Sequence, residues 1–135
     1  MEGAFSFERN MNNRKNEARM ERMQQRLEAG SVAERFPEVA GIVINMTYNQ
    51  KGTKSILRTF YFSPSSYAFF RLDCLSKYCV DGGFDLTQVI TAMLGNRKAE
   101  AKGALSCEGN EPSAGHSDIV YEVAIQYTNH NSAVL

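Results

Sequence analysis

The sequence lacks several features that would assign it quickly to a class of protein. Its 135 residues contain no apolar run near the roughly 20 residues that a membrane-spanning helix needs. Fifteen basic and fifteen acidic residues cancel, so no net charge attracts nucleic acid or an anionic membrane to the whole surface. Three cysteines, an odd number, argue against a disulfide framework and favour a reducing compartment. Together with a polar N-terminus, these absences predict a cytoplasmic protein without a membrane.

Familiar catalytic and cofactor motifs are also missing. The chain has no HExxH motif and no cluster of carboxylates around a histidine, and the stretch 109–115 matches no phosphate-binding loop. These absences favour a non-enzymatic protein. An enzyme stays open as an alternative, since a cysteine with His116 and Asp118 would form a sparse Cys–His–acid site.

The order of the periodic segments predicts an α+β fold. Alternating apolar residues predict strands near 42–48, 55–62, 67–74, 103–107 and 119–127, and helical spacing predicts a helix from about Leu86 to Leu94. We expect a mostly antiparallel sheet of about five strands, a crossover helix between strands three and four, and an N-terminal helix. The domain boundaries that follow are a charged helical arm at 1–35, a single α+β domain at 36–128 and a disordered tail at 129–135.

Local signals refine three of these elements. Asp85 is the expected N-cap of the crossover helix, and Gly95 is its expected stop. Strand two carries apolar groups on both faces, which predicts a central strand or one covered on both sides. The N-terminal helix, expected from about Met11 to Ala29, has a thin apolar face that suits loose packing on the sheet or, alternatively, a partner or a second copy; this face comprises Met20, Met23 and Leu27.

One constellation has the composition of a metal site. Zinc binds about four soft or borderline ligands in a tetrahedron, and the candidates here are Cys74, Cys79, Cys107 and His116. A strand–helix–strand crossover would make strands three and four parallel, so that Cys74 and Cys107 emerge at the same end of the sheet. The predicted cofactor is therefore a structural zinc ion. Ordinary packing of the cysteines in the core is the alternative.

The segment from Cys74 to Cys107 resembles a zinc ribbon, in which two cysteine pairs on hairpin loops share a metal. Here His116 would stand in for the missing member of one pair, and a helix separates the two halves. The resemblance carries no function over to this chain.

An aromatic stretch next to two arginines has two interpretations. Arg58 and Arg71 flank a run whose mixture of rings and cations resembles single-stranded nucleic acid binders; the rings are Phe60, Tyr61, Phe62, Tyr67, Phe69 and Phe70. The neutral chain lacks the wider basic field of such proteins, which favours core packing and cross-strand pairing instead.

These observations favour a small non-enzymatic binding or regulatory module, with a structural zinc ion as a candidate for stabilising its fold. Its expected partner is a protein or a second copy that binds the N-terminal helix, in preference to nucleic acid. Two alternatives remain: a small enzyme with a Cys/His site at one end of the sheet, and a self-associating structural protein.

Overall fold

The computed structural model describes residues 2–49, 55–74, 82–108 and 118–128. The elements in this part of the chain are α1 (Glu2–Ala29), α2 (Val32–Arg35), β1 (Val39–Asn49), β2 (Ile56–Phe62), β3 (Arg71–Leu72), β4 (Phe84–Asp85), α3 (Thr87–Gly95), β5 (Glu100–Ser106) and β6 (Asp118–Tyr127). The predicted α+β class is confirmed, with an N-terminal helix, a mostly antiparallel sheet and a helix between later strands.

The main sheet has four antiparallel strands in the order β2-β1-β6-β5. Strict alternation along its two central strands places one set of side chains on the inner face. That set is buried and forms most of the core: Ile42, Ile44, Met46 and Tyr48 of β1, and Ile119, Tyr121, Val123 and Ile125 of β6. The alternation predicted for the strand near 119–127 is therefore confirmed.

The predicted third strand does not join the main sheet. Only Arg71–Leu72 is a strand, and it pairs with Phe84–Asp85 in a separate two-stranded sheet. All strand pairs in the described residues are antiparallel, so the prediction of parallel strands before and after the crossover helix is wrong. The 67–74 segment is needed to cover the inner face of the main sheet. Helix α3 has nine residues and is about 14 Å long, so it cannot cover four strands alone. Phe70, Leu72 and Phe84 are buried in the same core cluster as Ile90 and Met93 of α3.

Strand β2 is at the edge of the sheet, not in its centre. Its only strand partner in the described chain is β1, and its outward side chains Leu57 and Tyr61 are 68% and 72% exposed. The apolar groups on both of its faces predicted a covered strand, and that prediction is wrong. Two-sided apolar character here belongs to a strand that lies at the edge of the sheet in the described part of the chain.

Helix α3 begins and ends differently from expectation. Asp85 accepts a backbone hydrogen bond from Thr87 at 2.9 Å, but Asp85 itself belongs to β4 and the helix begins at Thr87. The helix continues through Gly95 and ends with Arg97 in the left-handed region, at φ 52°. The Lys98 amide donates to the Met93 carbonyl at 2.8 Å, and the Arg97 amide donates to the Leu94 carbonyl at 3.3 Å, which is a Schellman ending.

Helix α1 extends from Glu2 to Ala29 and ends where predicted, with Gly30 at φ 73°. The expected packing of its apolar face on the sheet is wrong, because Met20, Met23 and Leu27 are each more than half exposed. After the helix, the Gly30 carbonyl accepts from the Ala68 amide and the Ser66 carbonyl accepts from the Val32 amide, both at 2.8 Å. These bonds fix the 66–68 segment against the end of α1.

Other predictions fall outside the described residues. They concern most of the hairpin loop expected from Asn49 to Thr53, most of the loop expected from Glu108 to Ser117 and the expected disordered tail at 129–135. Among the described residues, no helix has both the length and the apolar character required to cross a membrane.

Candidate functional site

The candidate site is an open cleft of about 450 Å³ that is lined by charged and aromatic side chains. It lies between β2, the 66–74 segment and one residue of α1. It is called the arginine cleft below. Its walls combine cations with aromatic rings and are formed by Arg26, Tyr48, Arg58, Phe60, Tyr61, Phe62, Ser66, Tyr67, Phe69, Arg71, Leu72, Asp73 and Cys74.

The alternation of β2 positions one wall. Every second residue of a strand lies on the same face, so Arg58, Phe60 and Phe62 share one face of β2. The rings of Phe62 and Phe70 pack edge to face with centroids 5.2 Å apart, which joins β2 to the 66–74 segment at that end. Toward the other end, Ile56 and Arg58 are exposed. The cleft is therefore bounded near Phe62 by this aromatic contact, and Arg58 is an exposed member of its wall.

Helix α1 is attached beside the cleft by two arginines. Arg22, whose side chain is 18% exposed, donates to the Asp73 carboxylate at 2.5 Å and to the Gly82 carbonyl at 2.6 Å. One turn later, the Arg26 guanidinium lies 5.4 Å from the centroid of the Phe69 ring, which is a cation–π contact. Helix α1 therefore contacts the residues around the cleft through the charged side chains of Arg22 and Arg26.

The cleft has more positive than negative charge. Asp73 is paired with Arg22, and Arg71 is paired with Glu108 at 2.9 Å. Within the described part of the chain, Arg26 and Arg58 form no ion pair. The charges of Arg26 and Arg58 therefore face the cleft, and neither has a carboxylate partner among the described residues.

Tyr48 projects from β1 into the same region and is buried. Its ring packs edge to face on Phe84 with centroids 5.9 Å apart. Burial raises the pKa of Tyr48; Arg58 lowers it, while Asp73 and Cys74 raise it further. Tyr48 is therefore a neutral hydroxyl near neutral pH.

The structure describes two of the four predicted metal ligands. Cys74 lines the cleft after β3, Cys107 follows β5, and both are half-buried against the core. The sequence neighbours of the two cysteines meet at Gly83, where the Glu108 amide donates to the Gly83 carbonyl at 3.0 Å. Gly83, at φ 149°, is also packed against the backbone of Leu72 and Asp73.

Cys79 and His116 lie outside the described residues. Within the described ranges, no group of three or more His, Cys, Asp or Glu side chains is arranged to hold a metal. The two cysteines approach one region through the Gly83 backbone rather than through parallel strands.

Sequence reasoning identified the aromatic stretch but favoured the core for it. Phe70 is in the core as expected, and Phe60 and Phe62 are half-buried and pack against it. Tyr61 and Tyr67 are exposed, and Phe69 is half-buried beside the cleft. The contributions of Arg22 and Arg26 were missed because α1 is distant in sequence from the other walls of the cleft. Tyr48 was assigned only to its strand, although β1 is the hairpin neighbour of β2. The run of aromatic residues between Arg58 and Arg71 was the signal in the sequence that pointed to this site.

Comparisons with protein-family models, curated proteins and solved structures found no match for this chain. The geometry of the arginine cleft is therefore the basis for a functional proposal.

Proposed function

We propose that this protein is a small non-enzymatic binding module whose arginine cleft holds an acidic segment of a partner protein. The observation that carries the proposal is the presence of Arg26 and Arg58, without carboxylate partners in the described chain, beside aromatic rings in an open cleft of about 450 Å³.

Carboxylates suit this surface for two physical reasons. The guanidinium group is planar and always charged, and it binds a carboxylate through two parallel hydrogen bonds. The half-buried rings of Phe60, Phe62 and Phe69 lower the local polarity and thereby strengthen such bonds relative to bulk water. The rings also provide apolar contact for the neighbouring side chains of a bound segment.

A protein partner is favoured over nucleic acid because the basic charge is local. Strong nucleic acid binding relies on many phosphate contacts across a wide basic field. Here the formal net charge of the chain is zero, and two acidic groups, Asp73 and Glu108, lie beside the cleft arginines. An acidic peptide needs only the few cations that the cleft offers.

The test is the affinity of a fluorescein-labelled, glutamate-rich peptide measured by anisotropy. Arg58→Glu is expected to weaken binding by about tenfold or more, since it replaces attraction with repulsion. Arg58 is exposed, so the variant is expected to fold. Lys102→Glu is the matched control: Lys102 is an exposed cation on β5, paired with Glu122 at 3.8 Å, and lies outside the cleft.

Two results would contradict the proposal. In the first, Arg58→Glu and Lys102→Glu bind the acidic peptide as tightly as the native chain. In the second, labelled oligothymidine binds more tightly than the acidic peptide and loses affinity in Arg58→Glu, which would make the cleft a nucleic acid site.

A structural zinc ion at Cys74, Cys79, Cys107 and His116 is a separate proposal that the meeting of the two cysteine segments at Gly83 supports. Zinc binding would add directly to folding stability. Native mass spectrometry of protein purified without chelator is expected to show one zinc per chain, lost in Cys107→Ser, and chelator is expected to lower the melting temperature. Metal-free protein with the same melting temperature in the presence and absence of chelator would exclude the structural zinc ion.

A further inference from the structure

We infer that the ligand of the arginine cleft is an extended strand that pairs with the free edge of β2, with acidic and apolar side chains in alternation. The inference rests on the proposed function and adds the backbone conformation and side-chain pattern of the partner segment.

The two edges of the main sheet differ in a way that distinguishes an open edge from a protected one. Proteins protect edge strands with charges and with residues that disfavour pairing. Strand β5 follows this rule, since its seven residues include Glu100, Lys102 and Gly103. Strand β2 also has seven residues, but it carries Ile56, Leu57 and three aromatic rings, with Arg58 as its only charge.

The cleft lies along this open edge. Arg58, Phe60, Tyr61 and Phe62, all from β2, contribute to its walls, and the opposite wall is the 66–74 segment. In the described chain β2 pairs only with β1, so backbone groups on its other side have no strand partner there. The cleft thus combines unpaired strand edge, volume for side chains and positive charge in one place.

Charge and exposure set the pattern of the incoming strand. Side chains of an added strand alternate between the two faces of the sheet, as those of β2 do. On one face they meet Arg58, where carboxylates are favoured. On the other face they meet Leu57 and Tyr61, which are 68% and 72% exposed and favour apolar partners. Alternation of Glu with Val or a similar residue satisfies both faces.

The test compares four synthetic peptides with a seven-residue central segment. The first alternates Glu and Val. The second and third keep that sequence but carry N-methyl groups on one or the other alternate set of backbone amides. The fourth replaces Glu with Lys. An added strand turns only alternate amides toward its neighbour, so one methylated peptide is expected to lose at least about tenfold in affinity while the other binds nearly as the parent does.

Hydrogen exchange supplies a second readout with the same peptides. The parent peptide is expected to slow exchange of β2 amides and to leave β5 amides unchanged. Equal effects of the two methylated sets, whether retention or loss, together with unchanged β2 exchange, would overturn strand pairing while leaving acidic recognition in place. Equal affinity for the Glu and Lys peptides would instead overturn the proposed function. A doubled mass in sedimentation without peptide, with β2 amides already protected, would show that a second copy occupies the edge.

Discussion

Gly103 of β5 lies directly opposite Tyr121 of β6, and the tyrosine ring covers it. A Cβ atom added at Gly103 would lie 2.6 Å from the ring carbon Cζ of Tyr121, closer than van der Waals contact allows. Tyr121 is a buried member of the core. The absence of a side chain at residue 103 therefore determines how this part of the core packs.

Gly103→Ala is expected to destabilise the protein by about 1–3 kcal/mol, because the Tyr121 ring must leave its packed position. Gly95→Ala is the control, since a Cβ there meets nothing within 4 Å and Gly95 lies in α3. This second change is expected to stabilise by up to about 1 kcal/mol. Urea unfolding of both variants checks the pair; equal effects of the two substitutions would contradict the packing account.

Tyr127 ties the end of β6 to the end of α3. Its hydroxyl donates to the Lys98 carbonyl at 2.8 Å and lies 3.3 Å from the Met93 carbonyl, while the Arg97 guanidinium lies 5.1 Å from its ring centroid. Burial raises the pKa of Tyr127, Arg97 lowers it and Glu38 raises it. The folded state thus favours the protonated hydroxyl.

A raised pKa in the folded state gives stability that is complete below the unfolded value of about 10 and is lost as the pH rises through the folded value. Tyr127→Phe is expected to be about 1 kcal/mol less stable than the native chain near pH 7. This difference is expected to begin to narrow above about pH 10, where the tyrosine of the unfolded chain loses its proton, and to be lost once the pH passes the higher pKa of folded Tyr127. Urea midpoints of both proteins measured across that range check the prediction; a constant difference would contradict it.

At the scale of elements, α1 stands apart from the folded core. Among the residues whose burial the structure describes, the core cluster begins at Val32 and includes none of residues 13–29 of α1. Instead, Arg22 and Arg26 attach the helix to Asp73, Gly82 and Phe69. Through Arg26, α1 contributes charge to the cleft. Its apolar residues Met20, Met23 and Leu27 are exposed and form the surface that the self-association alternative requires.

Removal of residues 1–29 is therefore expected to leave a cooperatively folded chain that is about 1.5–3 kcal/mol less stable, the range for hydrogen bonds to a charged group. Thermal unfolding checks this expectation, and a chain without a cooperative transition would contradict it.

Light scattering on the full-length and truncated chains tests the self-association alternative, which predicts a lower oligomeric mass after truncation. An unchanged mass would show that α1 does not join copies of the protein.

Elements with strong periodicity could be predicted from the sequence, whereas their arrangement depended on distant contacts. The alternation of β6 and the end of α1 at Gly30 are local properties, and both predictions were confirmed. The edge position of β2 could not be inferred, since two-sided apolar character fits a covered strand and a binding edge equally well. The approach of Arg22 to Asp73 joins residues 51 apart in sequence, which no local pattern encodes.

At the scale of the whole molecule, a neutral chain contains a locally basic surface. The zero formal charge conceals an uneven distribution, because Arg26 and Arg58 face the cleft whereas on the outer face of β5 and β6 Lys102 is paired with Glu122. The fold produces this difference by placing α1 and the 66–74 segment beside β2. An acidic partner would therefore be directed to one edge of one sheet.

The most direct test of that account is amide chemical-shift mapping by NMR on isotope-labelled full-length protein titrated with the alternating Glu/Val peptide. The account predicts that the shifts concentrate in β2 and the 66–74 segment, with Arg58, Tyr67 and Leu72 among them. It also predicts that β5 and the outward residues of β6 stay unchanged. Shifts confined to Lys102, Val120 and their neighbours, with none at β2, would show that the arginine cleft is not the binding site.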